Sequence, residues 1–498
     1  MPVEYTERSM LKYTQKVIDL FRNPKNMGEM EDPTVIAVEG DPQCGDMFKM
    51  FLKIENDKIM DAKFLSFGCL PPQEYISTYP GRWKQISKLK VGDAIIDSNG
   101  GKNFVVETYI RDYNGTLLRI VPLVSPFNSF LLTPEHPVLC VKREWLDSAR
   151  KASRICSWLH VEKEELLSKK PKFIKARDIQ VGDYLIFVPT GEIRDSKEYT
   201  ANVMKLLGFY LSDGYTAANN HVLAFAFNKK ETRNISEIKT LLRRVTNREP
   251  KYRARGNVTE VYICSKKWAN FFISIAGKYA TGKKLADEVL LLPFEQQWKM
   301  IKMYLKGNGN VHRRKKTHSW LYRIDTRSKD LAIQIQEILA RGGILSYIKK
   351  SVRVASKINE RKIRSNTNYT VSFQLKRKRK LVAPAKDYFL VPIKRIEKKN
   401  YSGKVYNFQV NHRPNSYLVR GFAVHNCAAN IATGSMTTEL VKGKTVDEAS
   451  KLSIKEIARE LELPAIKMHC AILAYKTLQK ALREYKQIKE AQDTLTGS

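Results

Sequence analysis

The spacing of apolar residues changes several times along the chain, and each change marks a candidate boundary. Tyr13, Val17, Ile18, Leu20 and Phe21 recur at helical spacing, which predicts an amphipathic helix over residues 13–21. A stretch broken by Pro24, Gly28 and Pro33 follows as a loop. Two apolar runs, 47–54 and 59–65, then predict strands joined in hairpin fashion at Asn56-Asp57. At the other end, residues 427–498 read as helical throughout, with apolar repeats at 446–452, 454–461 and 471–488. Neither end can cover its own apolar face, so the two together predict one α+β domain.

Between them the pattern differs. Val91-Gly92-Asp93 and Val181-Gly182-Asp183 each lead into an apolar strand, at 94–96 and 184–188, which predicts a duplicated all-β unit. From 191 to 385 helical and strand-like runs alternate and are rich in Lys and Arg, and strands return at 405–410 and 417–419. The order predicts three levels of nesting, with boundaries at 1–68, 69–190, 191–385, 386–426 and 427–498.

Charge follows the same borders. The whole chain of 498 residues carries a net +36. Residues 1–68 and 427–498 together hold 20 basic and 21 acidic side chains, so 69–426 alone holds a net +37. A block so basic points to a polyanion, most often nucleic acid. No run is long and apolar enough for a membrane span. Seven cysteines form no disulfide framework, and the first residues lack an export pattern. The expectation is a cytoplasmic protein with no membrane partner, whose thiols are free for chemistry.

The borders themselves carry reactive groups. Cys69 follows Gly68, and the far border reads His425-Asn426-Cys427. A thiolate is a strong nucleophile. An Asn amide can attack its own backbone carbonyl and cut the chain, and an adjacent His can move the proton that step requires. Thr133-Pro134-Glu135-His136 lies between and could hold and protonate a strained peptide.

With these motifs, residues 69–426 resemble an intein, a self-splicing insert of the all-β Hedgehog/intein fold. The resemblance implies that Cys69 attacks the Gly68 carbonyl, with Thr133 and His136 acting on the scissile bond. Cys427 then takes the acyl group, Asn426 cyclises with help from His425, and Gly68 ends bonded to Cys427, with no cofactor. Two positions depart from the pattern. Asn407 and Pro414 stand where such inteins often carry Asp and His, and the nearby His412 is out of register.

Residues 203–216, with Gly208 and Asp213, resemble the first helix of an α/β LAGLIDADG homing endonuclease. That resemblance implies double-stranded DNA as partner and Asp213 as a ligand for Mg²⁺. The second copy falls at 298–311, with Asn308 where the second acid belongs, so DNA binding is expected to persist and double-strand cleavage to be weak or lost.

Joining 1–68 to 427–498 leaves Cys44, Cys427 and Cys470, with Asp46 and His469, as a candidate metal set. The joined flanks resemble the IscU/NifU-type iron–sulfur cluster scaffold through Cys44-Gly45-Asp46, Phe67-Gly68-Cys427 and His469-Cys470. This implies a [2Fe–2S] cluster or Zn²⁺ on those residues, a cysteine desulfurase as sulfur donor and apo iron–sulfur proteins as acceptors. Residues 463–467 resemble the chaperone-recognition stretch, with Ala465 in place of a proline. In the unspliced chain the helices after 427 are displaced beyond the whole of 69–426, so poor cluster binding is expected there. The alternative is an unspliced DNA-binding or DNA-cleaving protein with incidental metal-binding flanks.

Overall fold

The computed structural model describes residues 14–40, 47–65, 68–123, 126–150, 161–217, 219–313, 319–353, 356–358, 361–363, 365–375, 382–411, 415–425, 429–463 and 468–496. Among them no helix is long and apolar enough to cross a membrane.

The two flanks form one body. Strands Val35–Gly40, Met47–Glu55 and Lys58–Leu65 make an antiparallel meander. Asn56 and Asp57 both take positive φ, +48° and +58°, which gives the two-residue turn whose twist suits a hairpin. Phe48, Met50, Leu52 and Ile54 alternate onto the buried face. Helices Gln15–Arg22, Ala429–Val441, Val446–Ser450, Ile454–Glu460 and Met468–Thr496 supply the rest of this unit. Thr445 and Glu448 form a capping box at one of their starts. One continuous core joins Val17, Phe48 and Phe64 to Ile431, Ala474 and Leu478. The segment 69–426 therefore does not displace the helices, contrary to the expectation from sequence. The insert begins and ends in one place, so the flanks can still meet.

The second body is a twelve-stranded sheet made from the two ends of the basic block, 75–187 and 383–425. Its longest pair is Lys102–Pro122 against Phe389–Val410, antiparallel from Ile393↔Pro122 to Val410↔Val105. The duplicated Gly-Asp motif has a structural cause. Gly92 and Gly182 sit at φ +89° and +95°, where a side chain would be strained. Asp93 then accepts the Lys90 N–H at 2.7 Å and pairs with Lys84. Asp183 accepts the Gln180 N–H at 2.8 Å and meets the buried Lys142 at 3.1 Å. Each copy closes a turn and launches a strand, Ala94–Ile96 or Tyr184–Phe187.

The third body repeats one supersecondary unit. Helix Ala201–Asp213 leads into strands Gly214–Ala217 and Val222–Asn228, helix Thr232–Thr246, and strands Lys251–Arg255 and Val258–Cys264. Helix Phe294–Asn308 leads into Gly309–Arg313, Trp320–Thr326, helix Lys329–Arg341, Tyr347–Arg353 and Asn366–Phe373. Both four-stranded sheets run first, second, fourth, third. The leading helices pack on each other at Gly208, where a Cβ would run into the Met300 carbonyl. Strand Ala383–Pro384 already pairs with Phe389–Val410, so the third body ends slightly before 385. Arg420 ties the sheet beside this body together: it pairs with the buried Glu74 at 2.9 Å and lies over Tyr75 and Trp83. Lys329 of the third body covers the same Tyr75 ring at 3.4 Å.

Candidate functional site

The Gly68–Cys69 peptide is the centre of a buried polar site. Leu70 exchanges both backbone hydrogen bonds with Tyr406, at 2.9 and 2.7 Å, which pins the segment beside the Phe389–Val410 strand. Cys69 is fully buried. Its N–H donates to Thr133 Oγ1 at 2.9 Å, and the Thr133 N–H donates back to the Cys69 carbonyl at 3.1 Å.

The spacing of Thr133 and His136 is the geometry of a turn. The His136 N–H donates to the Thr133 carbonyl at 3.1 Å, so the two residues are the ends of a four-residue β-turn. One turn thereby presents both side chains to one peptide. His136 is fully buried, and its Cα and Cβ press on Gly68 so closely that a Cβ at position 68 would collide with them.

Burial, reinforced by neighbouring His425, lowers the His136 pKa to about 3, although backbone groups of Cys69, Gly68 and His425 pull the other way. The imidazole is therefore neutral at ordinary pH. Its Nε2 lies 3.4 Å from the Tyr417 hydroxyl. Tyr417 is itself fully buried, and burial together with Cys69 holds its hydroxyl far above the usual pKa.

His425 ends the Phe422–His425 strand, which lies beside Pro137–Val141 through Val424↔Val138. It is buried against the Phe173 ring, 5.0 Å between centroids. Asn407 is also buried, and its Nδ2 reaches the Gly68 carbonyl oxygen at 3.4 Å. Of the expected residues, Cys69, Thr133, His136 and His425 are brought together, while Asn426, Cys427, His412 and Pro414 lie outside the described residues. Tyr417 and the contact of Asn407 with Gly68 are additions. Sequence placed the first only in a strand and marked the second only as a departure.

For the scaffold set, Cys44, Asp46 and Cys427 lie outside the described residues, as does most of the 463–467 stretch. His469 and Cys470 open the Met468–Thr496 helix, with Cys470 buried in the core of the flanks. Among the described residues no cluster of three or more His, Cys, Asp or Glu is assembled.

Asp213 is the last residue of its helix, and Gly307 of the paired helix lies directly against its carboxylate. Burial raises its pKa, Ser212 opposing, and Oδ2 is buried without a partner among the described residues. Asn308 instead donates to the Asp325 carbonyl at 3.2 Å. Lys283, which the sequence did not single out, lies beneath the same helix end. It donates to the carbonyls of Tyr210, Leu211 and Gly214 at 2.6, 3.0 and 3.0 Å, and burial lowers its pKa to about 8. The Lys251–Arg255 strand is exposed along its length and carries three cations.

Comparisons with known proteins fall on the same segments. The NifU-like N terminal domain model matches residues 12–73 and 409–492, and the LAGLIDADG-like domain model matches 295–376. An iron–sulfur cluster assembly SufBD family protein of Mycobacterium tuberculosis is 30% identical over 423 residues, 82% of this chain and 46% of that protein. The chain thus spans less than half of that relative's length. The ATP-dependent DNA helicase Hel308 of Thermococcus kodakarensis is 25% identical over 72% of this chain and 36% of its own. The iron–sulfur cluster assembly scaffold protein IscU of Escherichia coli is 46% identical over 70 residues, 14% of this chain and 55% of that one. Among solved structures, the homing endonuclease I-DmoI with DNA and Ca is 15% identical over 36% of this chain and 85% of its own, with a TM-score of 0.25.

Proposed function

From a chain that carries a NifU N-terminal-like domain in two pieces around a LAGLIDADG-like domain, we propose that residues 69–426 are a self-splicing insert of the Hedgehog/intein fold. The observation that carries this reading is the buried Gly68–Cys69 peptide, gripped by Thr133 and His136 of one turn and by Asn407 of a distant strand, with His425 alongside. The comparisons add support. The helicase match covers 72% of the chain and the cluster-assembly match 82%, so the two share at least half of it. A segment common to a helicase and a cluster-assembly protein is what a mobile insert would give.

In this reading Cys69 Sγ attacks the Gly68 carbonyl, and Thr133 holds the Cys69 N–H in place. If the Tyr417 hydroxyl donates to Nε2, the neutral His136 carries its hydrogen on Nδ1 and would be the group to protonate the departing nitrogen. The acyl group passes to Cys427, and Asn426 cyclises with proton transfer at His425. The fold supplies proximity and orientation, so the reaction needs no cofactor. In the test, the parent chain resolves into a free 69–426 and a product in which 1–68 is fused to 427–498. Cys69→Ala with Asn426→Ala stays at 57.3 kDa. A parent that behaves like the double variant contradicts the reading.

The joined product would carry a nascent [2Fe–2S] cluster or Zn²⁺ as cargo on Cys44, Cys427 and Cys470, with Asp46 and His469 beside them. A cysteine desulfurase would supply sulfur, and apo iron–sulfur proteins would receive the cluster. The LAGLIDADG-like domain would bind double-stranded DNA through its basic strands. The buried, unpartnered Oδ2 of Asp213 fits a Mg²⁺ ligand, and Mg²⁺ there would polarise a scissile phosphate. Asn308 lacks the second carboxylate, which supports DNA binding with impaired double-strand cleavage.

A further inference from the structure

We infer that Asn407 is a catalytic residue of the first step, donating a hydrogen bond to the oxygen on which negative charge develops at Gly68. The inference rests on the splicing reading and assigns a role that the sequence pattern had only marked as a missing carboxylate. Two contacts fix the side chain. The Phe408 N–H donates to Asn407 Oδ1 at 2.8 Å, which identifies the oxygen and leaves the NH₂ facing the other way. That NH₂ points at the Gly68 carbonyl oxygen, 3.4 Å from it. Asn407 lies within the long Phe389–Val410 strand, opposite Tyr109, and is 2% exposed, so neither water nor rotation competes for the contact.

The chemistry explains why a neutral donor works here. When Cys69 Sγ bonds to the Gly68 carbon, the carbonyl oxygen becomes an alkoxide. The C–N bond then breaks, the carbonyl re-forms as a thioester, and the proton lost from the thiol ends on the Cys69 nitrogen. A donor already aimed at the oxygen strengthens as charge arrives and needs no reorganisation. A contact of 3.4 Å to a neutral amide is expected to shorten against an anion. A carboxylate at 407 would instead oppose that charge.

The test uses the full chain carrying Asn426→Ala, so that the reaction stops before cyclisation. Dithiothreitol then cleaves any thioester and releases residues 1–68, whose rate of appearance is followed by mass spectrometry. Asn407→Ala should slow release by on the order of 100-fold. Asn407→Asp is the isosteric control. Its carboxyl can donate only when protonated, so its rate relative to the parent should fall as pH rises. Asn407→Ala at the parental rate, or a relative rate for Asn407→Asp that is flat with pH, overturns the role of Asn407 while leaving splicing intact. A chain with Asn426→Ala alone that releases nothing at any pH refutes the splicing reading and this role with it.

Discussion

Acidification should loosen the centre of the sheet through His136. An unfolded imidazole binds its proton near 6.5, whereas the buried one binds it only near about 3. Between those values the opened chain takes up a proton that the folded chain refuses. The contribution is therefore whole above pH 6.5 and is lost progressively as pH falls towards 3. The full shift corresponds to roughly 5 kcal/mol, and about 2 kcal/mol of it is gone by pH 5, some 30-fold in an opening equilibrium. Hydrogen exchange of Pro137–Val141 and Phe422–His425 measures that equilibrium directly. The chain should be held unspliced by Cys69→Ala with Asn426→Ala and compared at pH 7 and pH 5, corrected for intrinsic exchange. His136→Gln, which cannot titrate, should lose the difference between the two pH values. Equal pH dependence with and without His136 would refute the claim that a neutral buried imidazole sits there.

Other perturbations read other parts of the structure. Gly68→Ala places a Cβ against the Cα and Cβ of His136, so thiol-induced release of residues 1–68 should fall at least tenfold; an unchanged rate would mean the contact is relaxed in solution. Arg420→Met leaves the Glu74 carboxylate, whose side chain is 3% exposed, without its cation. That should cost about 3–5 kcal/mol and lower the thermal midpoint of the sheet, and an unchanged midpoint would contradict the pairing. Asn308→Asp supplies the missing carboxylate across from Asp213, so Mg²⁺-dependent double-strand cleavage of an insert-free target should rise over the parent. Efficient cutting by the parent would show that Asn308 is no impairment.

Local patterns were legible in the sequence because their causes are local. The Gly-Asp turns need positive φ at Gly92 and Gly182 and a carboxylate one residue later, so both copies show in the chain. Thr133 and His136 share a turn, and a turn fixes a spacing. The helix Ala429–Val441 falls in a stretch read as helical throughout, but no apolar period marks its own bounds, for the opposite reason. Thr433, Ser435, Thr437 and Thr438 are all fully buried in it, so no polar face alternates with an apolar one. Thr438 is accommodated by donating to the Gly434 carbonyl at 2.8 Å, a bond that composition does not reveal. The edge strand Val35–Gly40 hides differently: Val35 and Ala37 are buried while Ile36 and Val38 are exposed, so its two faces are equally apolar. Nor could sequence show that the flanks stay packed around the insert. That depends on Gly68, Leu70 and Tyr406 meeting near the strand that ends at His425, a matter of topology across nearly the whole insert.

Splicing would leave one new covalent bond, between Gly68 and Cys427. Expression of the full chain, digestion and tandem mass spectrometry should yield a peptide in which Gly68 is followed directly by Cys427, together with a free insert beginning at Cys69. If all the protein stays at 57.3 kDa under reducing conditions, and only peptides running Gly68–Cys69 and Asn426–Cys427 are found, the central claim is wrong.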